Sequence, residues 1–154
     1  TGVEGLYACG EATGGMHGAD RIGGLSSANG IVFGRIAGAS AAQAALDAPE
    51  AAAPMDIALP QYGIATTDAE RLTHSLRHTM STYCMINRTE AGLSKALQQL
   101  ESLKDEATAL SKPHANDSEI AALARLQSQN QLATEMVKAM RKRTESLGSH
   151  YRSN

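Results

Sequence analysis

The sequence predicts a mainly α chain: a three-helix bundle over residues 67–154, preceded by a strand, a glycine-rich loop and a helix in residues 1–47. Three observations carry this. Apolar residues recur every three or four positions in three stretches after residue 66, the period of one helix face. Aromatic residues make up 3% of the chain and tryptophan is absent, so Leu, Ala, Met and Ile must build the core, a set that suits helices better than a sandwich. Eleven of the 14 glycines fall by Gly38, which concentrates in the first segment a backbone that takes positive φ and lets another group approach closely.

The first segment opens with the apolar run Gly5-Leu6-Tyr7-Ala8-Cys9, read as a short strand ending at Gly10-Glu11. The glycine loop follows and carries His17, Asp20 and Arg21. After Gly23-Gly24, the spacing of Ile31, Val32, Ile36 and Ala37 is helical, giving a helix around residues 29–46. Residues 48–66, with Pro49, Pro54 and Pro60 among alanines, read as a linker. Thr67-Asp68-Ala69-Glu70 fits a capping box for the next helix, whose apolar face is Leu72, Leu76, Met80, Tyr83 and Ile86. Asn87-Arg88-Thr89-Glu90 interrupts it. The most regular stripe is Leu93, Ala96, Leu97, Leu100, Leu103, Ala107 and Leu110, and it stops by Pro113, which lacks the amide a continuing helix needs. Asn116-Asp117-Ser118-Glu119 reads as the cap of the last helix, with Ile120, Leu123, Ala124, Leu132, Met136, Val137 and Met140 as its apolar positions. Gln127, Gln129, Asn130 and Gln131 make its middle polar and predict weaker packing there, and Gly148 is the expected terminator. Short joints make the three helices antiparallel neighbours, each burying its stripe against the other two, because none would be stable alone in water.

A net charge of −2 is too near neutral to predict a nucleic-acid partner. The basic excess around Lys138, Arg141, Lys142 and Arg143 fits a solvated helix C-terminus. Cys9 and Cys84 are too few and too far apart for a disulfide framework, which points to a reducing, cytoplasmic setting. No apolar run approaches the ~20 residues of a membrane span. His74 and His78 stand at i, i+4, but no third ligand or HExxH pattern lies near, so no metal site is expected and a solvated helix face is the reading. The loop at Gly10–Gly24 lacks the Gly-Lys-Ser/Thr ending of a P-loop, and no GxGxxG opens a βαβ unit.

GLYACGEATGGMHGADRIGG followed by VFGRIAG resembles the closing part of the FAD domain in the fumarate reductase/succinate dehydrogenase flavoprotein family, which includes L-aspartate oxidase. The family pattern runs roughly GLYAxGE, a small-residue gap, HGANRLGGNSL and VFGRxAG. Further on, LRHTMSTYCMINRTEAGLSKALQQLESLKDEA is similar to the family's C-terminal helical region, with Arg77, Arg88 and Leu93 in its motif places. RTESLGSHYRSN resembles the family's RxESRGAHxRxDYP, with Leu147 in place of one arginine and Asn154 in place of the aspartate. The resemblance covers most of the chain and implies a C-terminal piece of a longer flavoprotein. Residues 1–47 would then be the remnant of an α/β FAD-binding domain whose nucleotide-cradling front lies in the rest of the flavoprotein.

The same resemblance implies site residues. Arg21 would bind one carboxylate of a C4-dicarboxylate, for which a permanently charged fork of donors is suited. Glu11 would contact FAD, and Ser26 and Ser27 would lie beside the flavin ring at the start of the helix, where free amides stabilise negative charge. His17 holds the motif histidine and would position the loop or contact cofactor. Asp20 and Leu25 stand where the family has asparagine. No catalytic residue is expected in this chain, because the family's proton-donating arginine belongs to its capping domain. The parent would be an FAD-dependent oxidoreductase moving a hydride between flavin and dicarboxylate. Its electron partner would be an iron–sulfur subunit, and partner subunits would attach it peripherally to the membrane. The alternatives are an L-aspartate oxidase-like parent, or a helical protein-interaction module with no activity of its own.

Overall fold

The computed structural model describes residues 2–48 and 60–153, so most of the expected linker lies outside the described residues. The chain forms two units, Thr1–Asp56 and Ile57–Asn154.

In the first unit a single 3-10 turn, Gly10–Ala12, precedes the glycine loop and helix α1 (Leu25–Asp47). The turn lies close on the helix where glycines leave room for it. Gly10 has φ 64°, and a Cβ there would sit 3.6 Å from Gly30 Cα. A Cβ on Gly34, one turn further along α1, would sit 3.7 Å from Cys9 Sγ. The helix begins at Leu25, four residues earlier than its apolar spacing suggested, after Gly24, whose φ of 89° turns the chain into it. The run Gly5–Cys9 is not a strand, which corrects the sequence expectation. A strand exists through the ladder of a neighbour, and the first unit holds no sheet among the described residues. α1 is apolar on several sides, with Ile31 74% and Ile36 54% exposed, and its one buried residue is Asn29.

The second unit is a three-helix bundle of α2 (Thr66–Tyr83), α3 (Glu90–Leu110) and α4 (Asp117–Lys142), each packed on the other two. Its core takes Leu72 and Leu76 from α2, Leu93, Ala96, Leu100 and Leu103 from α3, and Leu123, Leu126, Ala133 and Val137 from α4. Each buried leucine adds about 1.5–3 kcal/mol relative to exposure.

Two short ribbons tie the joints together. β1 (Tyr62–Gly63) pairs antiparallel with β3 (Lys112–Pro113), and β2 (Asn87–Arg88) pairs parallel with β4 (Tyr151–Arg152). β1 and the fully buried Ile64 fall within residues expected to be linker. The Ile64 amide donates to the Glu119 carbonyl at 3.2 Å. A Cβ on Gly63 would meet Ala115 Cβ at 2.5 Å and the Glu119 carbonyl carbon at 2.7 Å, so only glycine fits.

The details differ from expectation in four places. α2 starts at Thr66 with Ala65 as its uncapped N-cap, not in a box from Thr67 to Glu70; the docking of Gly63 and Ile64 on α4 sets where the chain enters the helix. Ile86 lies beyond the end of α2 and is exposed, its carbonyl being used by Tyr151. The buried face of α4 is Leu123, Leu126, Asn130, Ala133 and Val137, while Leu132 is 63% and Met136 44% exposed. α4 ends at Lys142, and Gly148, with φ 59°, belongs to the turn that brings the tail back. Two helix starts are secured by side chains. Thr89 accepts from the Gly92 amide at 3.0 Å, and Asn116 and Glu119 form a complete capping box, the expected cap of the last helix.

Candidate functional site

The four expected site residues lie on the loop and helix start of the first unit. Glu11 sits in the 3-10 turn that rests on α1, and its side chain is exposed. Thr13 closes that turn by donating from Oγ1 to the Gly10 carbonyl at 2.7 Å. Arg21 is exposed and makes no ion pair among the described residues. Its own amide donates to Asp20 Oδ1 at 2.7 Å, so the aspartate is engaged with the backbone rather than with the guanidinium. Ser26 and Ser27 occupy the first turn of α1, Ser26 half-buried and Ser27 exposed. That turn has no side-chain cap and no acidic residue. Gly24 supplies only its carbonyl, which accepts from the Ser27 and Ala28 amides at 3.1 and 3.2 Å. The earliest amides of a helix have no internal acceptor, so this end favours negative charge. Sequence separates Arg21 from the helix start by only three residues, but no hydrogen bond or ion pair joins it to Glu11, Ser26 or Ser27 among the described residues.

One participant is not visible from motif reading. Asn29, buried in α1, donates from Nδ2 to His17 Nε2 at 3.1 Å and also contacts Met16 Sδ through Nδ2. Its Oδ1 is buried without a partner among the described residues. A polar residue just ahead of Ile31, Val32 and Phe33 was the available signal.

A second cluster surrounds the tail of the bundle. His150, buried, donates from Nε2 to the Arg143 carbonyl at 2.9 Å, since a carbonyl can only accept. Its Nδ1 therefore accepts from Arg88 Nη1 at 2.5 Å. Glu90 binds Arg141 at 2.5 Å and Arg152 at 3.0 Å, and these guanidinium groups hold its carboxyl below the usual value, Arg141 most strongly. Arg88 also donates from Nε to the Cys84 carbonyl at 3.3 Å. Burial pushes the Cys84 thiol up, against the opposing charge of Arg88, so this cysteine is a small core residue and not a nucleophile. The Arg88–His150 and Glu90–Arg152 contacts tie the α2–α3 joint to the tail of the bundle.

His74 and His78 are both exposed on α2, and no group of three or more metal-ligating side chains exists among the described residues. No helix of the described residues is long and apolar enough to cross a membrane.

Helices tied by clasped joints define this as a mainly α C-terminal helical domain, following a glycine loop that opens a helix. Residues 73–154 match the family described as fumarate reductase flavoprotein C-term, and the chain belongs to that family. It is 39% identical over 113 residues to an uncharacterised FAD-dependent oxidoreductase of Methanocaldococcus jannaschii, covering 68% of this chain and 20% of that protein. It is 30% identical over 162 residues to a fumarate reductase (CoM/CoB) subunit of Methanothermobacter marburgensis, covering all of this chain and 30% of the relative. It is 33% identical over 116 residues to the fumarate reductase flavoprotein subunit of Haemophilus influenzae, covering 68% of this chain and 19% of the relative. The chain thus spans less than a third of the length of these relatives. No solved structure matches it.

Proposed function

We propose that this chain is the C-terminal part of an FAD-dependent oxidoreductase acting on a C4-dicarboxylate, in which Arg21 binds a substrate carboxylate. The observation that carries the reading is the exposed guanidinium with no ion pair among the described residues, on a glycine loop leading directly to an uncapped helix N-terminus. A guanidinium stays charged at every working pH and matches a carboxylate with two parallel N–H donors. It would orient the substrate and hold its charge while leaving proton transfer to groups elsewhere.

The residues present fit FAD. The first turn of α1 offers the hydroxyls of Ser26 and Ser27 and the helix-start amides ahead of Ser27, whose own amide is taken by the Gly24 carbonyl, and no acid there would repel an anionic ring. Glu11, an exposed acceptor on the turn beside α1, suits a sugar-type hydroxyl. FAD would supply the two-electron redox chemistry when bound. The exposed Ile31, Val32, Phe33 and Ile36 would be covered by the rest of the flavoprotein, since a helix apolar on several faces belongs in an interior. The partners of this reading are that remainder and an iron–sulfur subunit. Its location is the cytoplasm, with peripheral membrane attachment through partner subunits. Residues 1–47 would be the end of the FAD domain and 67–154 the helical bundle, with the expected linker of 48–66 ending before Tyr62, since β1 and Ile64 pack on the bundle.

The test is Arg21→Ala in the full-length flavoprotein. Flavin content should match the wild type, while kcat/KM for fumarate or succinate falls by about 100-fold or more, the scale of a lost charge-assisted bidentate contact. A colourless full-length protein, or an Arg21→Ala variant with unchanged kcat/KM, would sink the reading.

A further inference from the structure

Two imidazoles on α2 share a groove whose walls are otherwise uncharged. His74 and His78 stand one turn apart on the helix, and both line the groove between α2 and α3. Residues at i and i+4 on a helix have Cβ atoms about 5–6 Å apart, close enough for two rings to converge on one ion at about 2.0–2.1 Å from each nitrogen. The other walls are neutral: Ser75 and Thr79 from α2, with Gln99, Ser102 and Leu103 from α3. No lysine or arginine lines this groove to repel a cation. Arg71, one turn before His74, is occupied, donating to Glu106 at 2.8 Å and to Asp68 at 3.5 Å. Arg77 and Arg125 line a different groove, between α2 and α4, which His74 borders but His78 does not. Thr79 Oγ1 donates to Gln99 Oε1 at 2.8 Å, which takes that amide oxygen. The ring nitrogens of both histidines have no hydrogen-bond partner among the described residues, so each ring keeps a lone pair for a ligand.

We propose that His74 and His78 form a two-imidazole chelate for a divalent cation of the nickel–copper–zinc class, with water in the remaining coordination positions. Imidazole nitrogen suits these ions, whereas magnesium and calcium take oxygen ligands. Ser102, on the α3 wall of the groove, offers a hydroxyl to a metal-bound water. The ion ties two successive turns of α2, the one helix of the bundle that starts without a side-chain cap. The site belongs to the bundle alone and does not depend on the role given to Arg21.

The test uses the untagged full-length flavoprotein at about pH 8, above the ordinary histidine range. Titration calorimetry with nickel(II) should show a site that weakens about tenfold or more in His74→Ala and in His78→Ala, because losing either ring breaks the chelate. The double variant should bind little worse than either single one, the mark of two groups acting as a unit. Copper(II) should give an electron paramagnetic resonance spectrum with two nitrogen ligands in the wild type and fewer in each single variant. Amide exchange along α2 should slow when nickel is added to the wild type and stay unchanged in the variants. Both side chains are exposed, so neither substitution disturbs the core. Nickel affinity that the variants retain in full, or losses that simply add in the double variant, overturns the chelate. So does a copper spectrum that keeps its nitrogen ligands in the variants. Unaltered exchange along α2 in the nickel-bound wild type overturns the tie between its turns.

Discussion

Gly63 shows how tightly one residue can be constrained by its neighbours. The hydrogen it carries in place of a side chain lies against backbone and Cβ atoms at the start of α4, none of which is the free end of a flexible group. Gly63→Ala must therefore push β1 off the helix, and we expect a loss of about 1–3 kcal/mol in urea unfolding of the bundle. Leu100, fully buried where α3 meets its neighbours, is expected to cost about 2–5 kcal/mol as Leu100→Ala by the same measurement. Asn130 is the opposite case. It lies in the core, donating to the Leu100 carbonyl at 2.9 Å, with its Oδ1 buried and unsatisfied among the described residues. Its place was not legible from sequence, because a polar residue between glutamines reads as surface. Arg21, by contrast, was legible as a candidate from its motif alone, whereas its freedom from the adjacent Asp20 could come only from geometry.

At the level of the helices, the period of apolar residues gave the existence and order of α2, α3 and α4, and capping chemistry gave the start of α4. The phase of α4 was not readable, since Leu132 and Met136 extend an apolar stripe that the packing leaves exposed. Period alone does not choose between two faces when both carry apolar residues. The N-terminus of α4 provides a test: Asn116→Ala removes an acceptor from the Glu119 amide and half of a capping box, and should destabilise the bundle by about 1 kcal/mol in chemical unfolding. Acid provides another. Glu90 is held down chiefly by Arg141 and then Arg152, Glu119 chiefly by Lys112 and then the Asn116 amide. Both folded-state values lie below the ordinary 4.5, so the unfolded chain takes up protons first as pH falls. Their contribution is whole above that value and is lost as pH drops through the folded ones. Thermal unfolding should therefore show Tm falling below about pH 4.5, with a shallower fall in Glu90→Gln.

Taken as a whole, the chain divides its roles. The second unit carries a closed core built from leucine and alanine, and the first carries the candidate site on a helix with exposed apolar residues. Amide hydrogen exchange should reflect this, with slow exchange at Leu93, Leu100 and Val137 and fast exchange along α1. The family was legible because its motifs are long and ordered, but the tail was read only as a match and not as a fastener. Nothing local in Ser149–Arg152 announces that His150 will be buried between Arg88 and Arg143. That arrangement has a consequence for biosynthesis. The strand that closes β2 is made after all three helices, so a ribosome must release roughly the whole domain before Arg88 meets its imidazole. Until then the α2–α3 corner stays open at Ile86 and Cys84, and a nascent chain stalled just short of Leu147 would be an early target for proteases and chaperones.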